Sequence, residues 1–146
     1  MSDSVVSAGA PTGAPAHTLH IAAALVINAV GELLLVRKRG SRFFMQPGGK
    51  IEPNEPARQA LVRELEEELG VVVASERLEY MARLKIEAAN EPDTLIDTEL
   101  FRLDLDEHVE AAAEIAEAVW VTPHSAQALA LAPLTREHVL ALAHCG

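Results

Sequence analysis

Cysteine is almost missing from this chain. Cys145 is the only one in 146 residues, which excludes an intramolecular disulfide and a cysteine-based zinc site. Its place beside the C-terminus makes it a bystander rather than a nucleophile. Basic residues are also scarce, with 12 Lys and Arg against 22 Asp and Glu and a net charge of −10. That deficit argues against a nucleic-acid backbone or an anionic membrane as partner. No apolar run approaches the ~20 residues of a membrane span. The N-terminus lacks the basic start and continuous apolar middle of a signal peptide, so the expected compartment is the cytoplasm. The histidines are scattered without metal-ligand spacing, and no internal repeat is visible. What the chain does have is apolar residue, 49% of the total, enough for one domain with a real core.

Residues 1–16 are rich in Ala, Gly, Ser and Pro and nearly devoid of large side chains, and are expected to form a disordered tail. Residues 17–146 are expected to form a single domain. The run from Thr18 to Asn28 reads as a strand buried on both faces. A turn at Ala29–Glu32 and a second strand, Leu33–Arg37, would make a hairpin with it. A basic loop follows, then a short strand at Phe43–Gln46. Beyond the central helix, Leu78–Ala88 and Thr94–Leu105 alternate as paired strands around a turn at Ala89–Asp93. Tyr80, Ala82, Leu84 and Ile86 fall on one face of the first. Residues 71–73 lead away from the helix, and 104–114 read as an acidic loop in which Val109–Ala113 has the makings of a helical turn. Ala118–Val121 is a last strand, with Trp120 in the core. Ser125–Ala130 and Thr135–His144 read as helices, the second capped by Thr135. The pattern is α+β, a mixed sheet with helices packed on its faces.

The stretch from Gly48 to Val71 carries the chemistry. It starts as a glycine turn and runs into a helix from Pro56 to Leu69, where Ala57, Ala60, Leu61, Leu65 and Leu69 draw one apolar stripe. Asn54 or Glu55 can cap its start, and Gly70 suits a left-handed end. Positions advance by about 100° each, so Glu64, Glu67 and Glu68 crowd the opposite side. Like charges at that spacing cost a few tenths of a kcal/mol per pair. Such a run ordinarily decorates a wet helix face. Converging anionic oxygens are also what a hard cation such as Mg²⁺ takes.

The spacing decides between the two. Gly49, Glu55, Arg63, Glu64, Leu65, Glu67, Glu68, Gly70 and Val71 fit G-x5-E-x7-R-E-U-x-E-E-x-G-U, with U an aliphatic residue, without a departure. This resembles the signature box of the Nudix hydrolases, which cleave nucleoside diphosphates linked to another group. The resemblance implies an α/β/α sandwich with the box as a loop–helix–loop beside the sheet. It also implies hydrolysis of a diphosphate linkage by water with Mg²⁺, or Mn²⁺, as cofactor. A bound metal ion neutralises phosphate charge and lowers the pKa of its water, and it turns an acidic, substrate-repelling site into an attractive one.

Glu67 and Glu68 are the leading metal ligands, with Glu64 a third ligand or the base. A backbone carbonyl at Gly48 or Gly49 completes the shell by resemblance. Arg63 either contacts a phosphate or, the favoured reading, pairs with Glu67 one turn on and holds it. Glu55 suits the positive end of the helix dipole, and Glu52 is a lesser candidate ligand. Family members often take a base or further ligand from outside the box, which makes Glu114 and Glu117, with Glu87 behind them, candidates against a plain reading as solvated acidic turns. Arg37, Lys38, Arg39 and Arg42 form the one basic patch and can steer or clamp a phosphate, or can simply be a wet hairpin end. Phe43 and Phe44 face opposite ways, so one can stack on a base while the other packs in the core.

The expected partner is a small nucleotide, with a homodimer possible within the family. No secondary motif for coenzyme A, ADP-ribose or NADH follows Val71, which leans the expectation towards a nucleoside di- or triphosphate derivative. A second reading is a catalytically inactive Nudix-like domain that binds nucleotide and regulates; the complete set of glutamates weighs against it. Diphosphate isomerisation normally needs a cysteine acid, and Cys145 is far from the box in sequence.

Overall fold

The computed structural model describes residues 17–88 and 92–145. The expected N-terminal tail and the centre of the turn at 89–91 lie outside the described residues. In chain order the elements are β1 (His17–Ile27), β2 (Leu33–Lys38), β3 (Phe44–Met45), β4 (Gly48–Lys50), α1 (Ala57–Leu69), β5 (Glu79–Glu87), β6 (Thr94–Asp104), β7 (Ile115–Val121), α2 (Pro123–Ala126) and α3 (Leu140–Cys145). A 3₁₀ turn, Ser75–Arg77, precedes β5, and a π-helical turn, Thr135–Val139, feeds α3. The α+β class is as the pattern predicts: a mixed sheet covered by helices.

β1 is the spine. Ala22 to Val26 are all at most 1% exposed, because both faces of the strand are covered. Ala22, Ala24 and Val26 join Leu61, Leu65, Leu69 and Phe101 beneath α1. Ala23 and Leu25 join Leu100, Leu131, Val139 and Leu140 beneath the C-terminal helices. Alternate side chains of a strand serve opposite faces, so one strand anchors both halves of the core.

Along one edge β1 runs parallel to β6, from His17↔Thr94 to Ile27↔Asp104, and β5 completes that side antiparallel to β6. The other edge departs from the expected hairpin. β1 and β2 pair only at the turn, Ile27↔Leu33. Beyond it β2 turns away to pair with β7 and β3. The place vacated on β1 is taken by β4, with Ile21↔Lys50, Ala22↔Gly49 and Ala23↔Gly48, extended by hydrogen bonds from Ala24 N to the Pro47 carbonyl and from Ile51 N to that of His20. The start of the box is therefore a strand rather than a free glycine turn. Gly48 is required there: a Cβ on it would lie 2.3 Å from the Ala22 carbonyl oxygen, and its φ is +152°.

Three local readings also change. A bulge between Tyr80 and Ala82 turns Tyr80 onto the α1 face, edge-on to Phe101 at 5.5 Å, while Leu84 and Ile86 keep to the opposite face. Residues 109–112 hold no helix. Thr135 does not cap a helix; it is fully buried and its hydroxyl donates to Gln46 Oε1 at 2.6 Å. The helix-capping threonine is Thr122, which accepts from Ser125 N at the start of α2.

Candidate active site

β4 and α1 meet at the glutamates of the box. The connection, residues 51–56, makes its bend with Asn54 in the left-handed region at φ 64°. Pro56 occupies the N-cap and offers no side-chain cap, so neither Asn54 nor Glu55 plays that part. Gly70 ends α1 as expected, left-handed at φ 68° with its N–H donating to the Glu66 carbonyl.

Glu55 is instead the anchor of Arg63. The guanidinium donates from Nε to Glu55 Oε2 at 3.1 Å and from Nη2 to Oε1 at 3.0 Å. Nη1 reaches Glu64 Oε2 at 2.9 Å, and Nη2 also donates to the Lys50 carbonyl. This corrects the expected Arg63–Glu67 pair. A planar fork serves two carboxylates and a carbonyl at once, and the loop brings Glu55 into reach, a proximity that helical spacing does not reveal. Hydrogen bonding to Arg63 holds the Glu55 carboxyl below its usual pKa.

Glu64 lies against the backbone of Gly49, so closely that a Cβ there would sit 2.3 Å from its carboxyl carbon. Its side chain is 14% exposed, and burial pushes its pKa up against the lowering effect of Arg63. Glu68, one turn on, is 3% exposed. Its carboxylate accepts from Gly48 N at 3.3 Å, and burial raises its pKa to about 7. Glu67 is exposed on the same side of α1. Among the described residues no three acidic, His or Cys side chains are gathered tightly enough to grip an ion as they stand.

The donor set nonetheless fits a hard cation. Glu64 and Glu68 are ionisable oxygens held at a glycine backbone, and while Arg63 balances Glu64, Glu68 feels Glu64 and Glu114 on one side and only Lys38 on the other. The space where a side chain at residue 49 would stand is occupied by the Glu64 carboxylate itself.

The residues expected outside the box divide into pairs. Arg37 Nε donates to Glu117 Oε1 at 2.9 Å, and Lys38 Nζ lies 3.2 Å from Glu114 Oε1, as β2 and β7 run side by side. The basic patch and the acidic turn thus neutralise one another in part. Arg39 donates to the Ala113 carbonyl, and Arg42 covers the exposed ring of Phe43 at 4.9 Å. Phe44 packs into the core beneath α3, away from the solvent-facing side that its neighbour takes. Glu52 donates its N–H to Glu55 Oε1.

On the opposite side of β4 lies a cavity of about 300 Å³ lined by Gly48, Gly49, Lys38, Gln46, Thr98 and Glu87 together with aliphatic side chains of β1, β5, β6 and the segment before α3. Gly48, Gly49 and Lys38 therefore border both the carboxylates and the cavity. Sequence reasoning missed Gln46 and Thr98. The available signal was a threonine flanked on its strand face by Ile96 and Leu100.

The sequence model of the NUDIX domain matches residues 17–143. The CTP pyrophosphohydrolase of Escherichia coli K12 is 35% identical over 121 residues, covering 75% of this chain and 81% of that enzyme. An 8-oxo-dGTP diphosphatase of Haemophilus influenzae is 38% identical over 64 residues, a match that spans only 47% of its length. The solution structure of the E. coli ORF135 protein superposes with a TM-score of 0.67 at 30% identity, covering 88% of this chain and 87% of that one. The MutT protein of Methanosarcina mazei shares the fold, with a TM-score of 0.73 at 22% identity and coverage of 88% and 94%. With an intact box at the junction of strand and helix and a family match over nearly all of the described residues, this chain belongs to the Nudix family and is a hydrolase.

Proposed function

We propose that this hydrolase cleaves the phosphoanhydride of a small nucleoside di- or triphosphate, using Mg²⁺ or Mn²⁺. The observation that carries the reading is adjacency: Gly48 and Gly49 touch the buried carboxylates on one side and line an apolar cavity on the other. A nucleotide bound across β4 has its base in the cavity and its phosphates at the carboxylates. The similarity to a CTP pyrophosphohydrolase over most of both chains favours a nucleoside triphosphate, as does a net charge of −10, which disfavours a long polyanion.

Glu67, Glu68 and a box carbonyl would hold the cation, with Glu64 alongside. When bound, the ion supplies Lewis-acid polarisation of the phosphate oxygens and acidifies water. The chain's own groups do the rest. Water forms a new bond to phosphorus while the bridging P–O bond breaks, and the bridging oxygen leaves with the departing phosphate or nucleotide. Glu64 takes the proton of that water, a role favoured by its raised pKa. Arg63, clamped by Glu55, keeps Glu64 pointed at Gly49. Lys38 reaches the phosphates from the cavity side, and Arg37, Arg39 and Arg42 add to the approach field.

The test is a panel of CTP, dCTP, 8-oxo-dGTP, ADP-ribose and dinucleoside polyphosphates with Mg²⁺ or Mn²⁺, scoring phosphate and pyrophosphate separately. Pyrophosphate release from a triphosphate, abolished by Glu67→Gln, is the expected result. Tight nucleotide binding with no turnover of any member would establish the regulatory reading instead.

A further inference from the structure

We infer that Thr98 is a specificity-determining residue, its hydroxyl reading the hydrogen-bonding edge of a nucleobase held in the cavity beside β4. The inference rests on the proposed nucleotide reading and names the part of the site that selects the base. Thr98 is fully buried, and its Oγ1 is the one buried side-chain polar atom without a partner among the described residues. Across the ladder it sits between Ile21 of β1 and Leu84 of β5, on the face that lines the cavity with Ile86 and Ile96. Valine would serve strand formation and packing equally well, without leaving a hydroxyl unsatisfied at a cost to stability.

Apolar sites orient their ligands by a few polar groups, and the cavity holds a second. Gln46 is 6% exposed, and its carbonyl oxygen is taken by the Thr135 hydroxyl, which leaves its amide hydrogens to donate. A hydroxyl that donates or accepts, beside an amide that donates, suits a base edge carrying carbonyl or ring-nitrogen acceptors. Aliphatic walls from Leu19, Ile86, Ile96 and Pro133 would cover the ring faces. Among the described residues no aromatic side chain lines the cavity, so discrimination falls to the polar contacts rather than to stacking.

The experiment is equilibrium binding of CMP, 8-oxo-dGMP and ribose 5-phosphate in Mg²⁺ to the wild type, Thr98→Val and Thr98→Ser. None of these ligands carries an anhydride to be cleaved. The expected result is tighter binding of at least one nucleotide than of ribose 5-phosphate by the wild type, weakened about five- to tenfold by Thr98→Val and kept within about twofold by Thr98→Ser. Thr98→Val should also melt no lower than the wild type, which shows that the loss is not one of folding. Equal nucleotide affinity in wild type and Thr98→Val overturns the inference. So does a wild type that binds nucleotides no better than ribose 5-phosphate; pyrophosphate release in the substrate panel would then still stand, separating this failure from failure of the hydrolase reading.

Discussion

Without a divalent cation, Glu68 should make the protein less stable as pH rises, and Glu68→Gln should reverse the effect. The carboxyl is 3% exposed and its pKa is raised to about 7 from the ordinary 4.5. A folded-state pKa above the unfolded one means that the protein binds this proton more tightly when folded. The stabilising contribution is therefore complete below about pH 4.5 and is lost as pH climbs through 7. At 1.36 kcal/mol for each pH unit, the charged form costs about 3 kcal/mol at pH 8 relative to the protonated form. Glutamine has the same shape, retains an oxygen for the Gly48 N–H and carries no charge. In EDTA at pH 8, Glu68→Gln should then melt roughly 6–12 °C above the wild type, while the two should nearly coincide at pH 4.5. Added Mg²⁺ should raise the wild-type melting temperature at pH 8 and leave the variant nearly unmoved. The assay is thermal melting by circular dichroism across pH, with and without Mg²⁺. A variant that melts at or below the wild type in EDTA at pH 8 would show that the charge is not a burden and would refute the reasoning.

Adjacent glycines should fail differently. Gly48→Ala drives a Cβ into the Ala22 backbone and should cost at least about 2 kcal/mol in denaturant unfolding; Gly49→Ala meets only the movable end of Glu64 and should fold but lose most turnover. Glu67→Gln, at an exposed position, should change stability by no more than about 0.5 kcal/mol while lowering kcat by about 10² or more. Arg83→Ala strips the bidentate partner from Asp97, which is 4% exposed, and should lower the urea midpoint near neutral pH. Because Arg83 holds the Asp97 pKa down, the wild-type advantage should fade as pH falls below about 4 in urea titrations.

The strands and the central helix were legible because each answers to a periodicity. The double-sided burial of β1 shows in its unbroken apolar run, and the end of α1 in Gly70. What was not legible depends on contacts between distant segments. The turn that joins β1 to β2 gives no sign that β2 leaves for β7 or that β4 takes its place against Ala22 and Ala23. A single added residue near Tyr80 reverses which face that ring serves, and alternation counted along one strand cannot register a bulge set by its partner. Thr135 reads as a cap from its position before an apolar run, yet a buried glutamine across the molecule takes its hydroxyl.

The box shows the same division at the level of charge. Its spacing identifies which side chains share a face of α1, and both Glu64 and Glu68 do reach the glycines. Spacing cannot show which carboxylate receives a cation from the protein. Arg63 has Glu67 within one turn, but Glu55 is on a loop whose left-handed residue at Asn54 folds it back over the helix. With Arg63 committed to Glu55 and Glu64, the Glu68 carboxylate has, among the described residues, no guanidinium partner and only a long hydrogen bond from Gly48 N. The charge imbalance therefore concentrates at a buried carboxylate bordering the cavity wall, where an added cation gains most because water screens it least. Replacing Glu55 by Gln should test that chain of dependence: Arg63, weakly held, becomes free to turn to Glu67 or Glu68. Mg²⁺ affinity measured by calorimetry should then fall with the fold intact, whereas an unchanged affinity would show that the clamp on Arg63 does not govern the cation site.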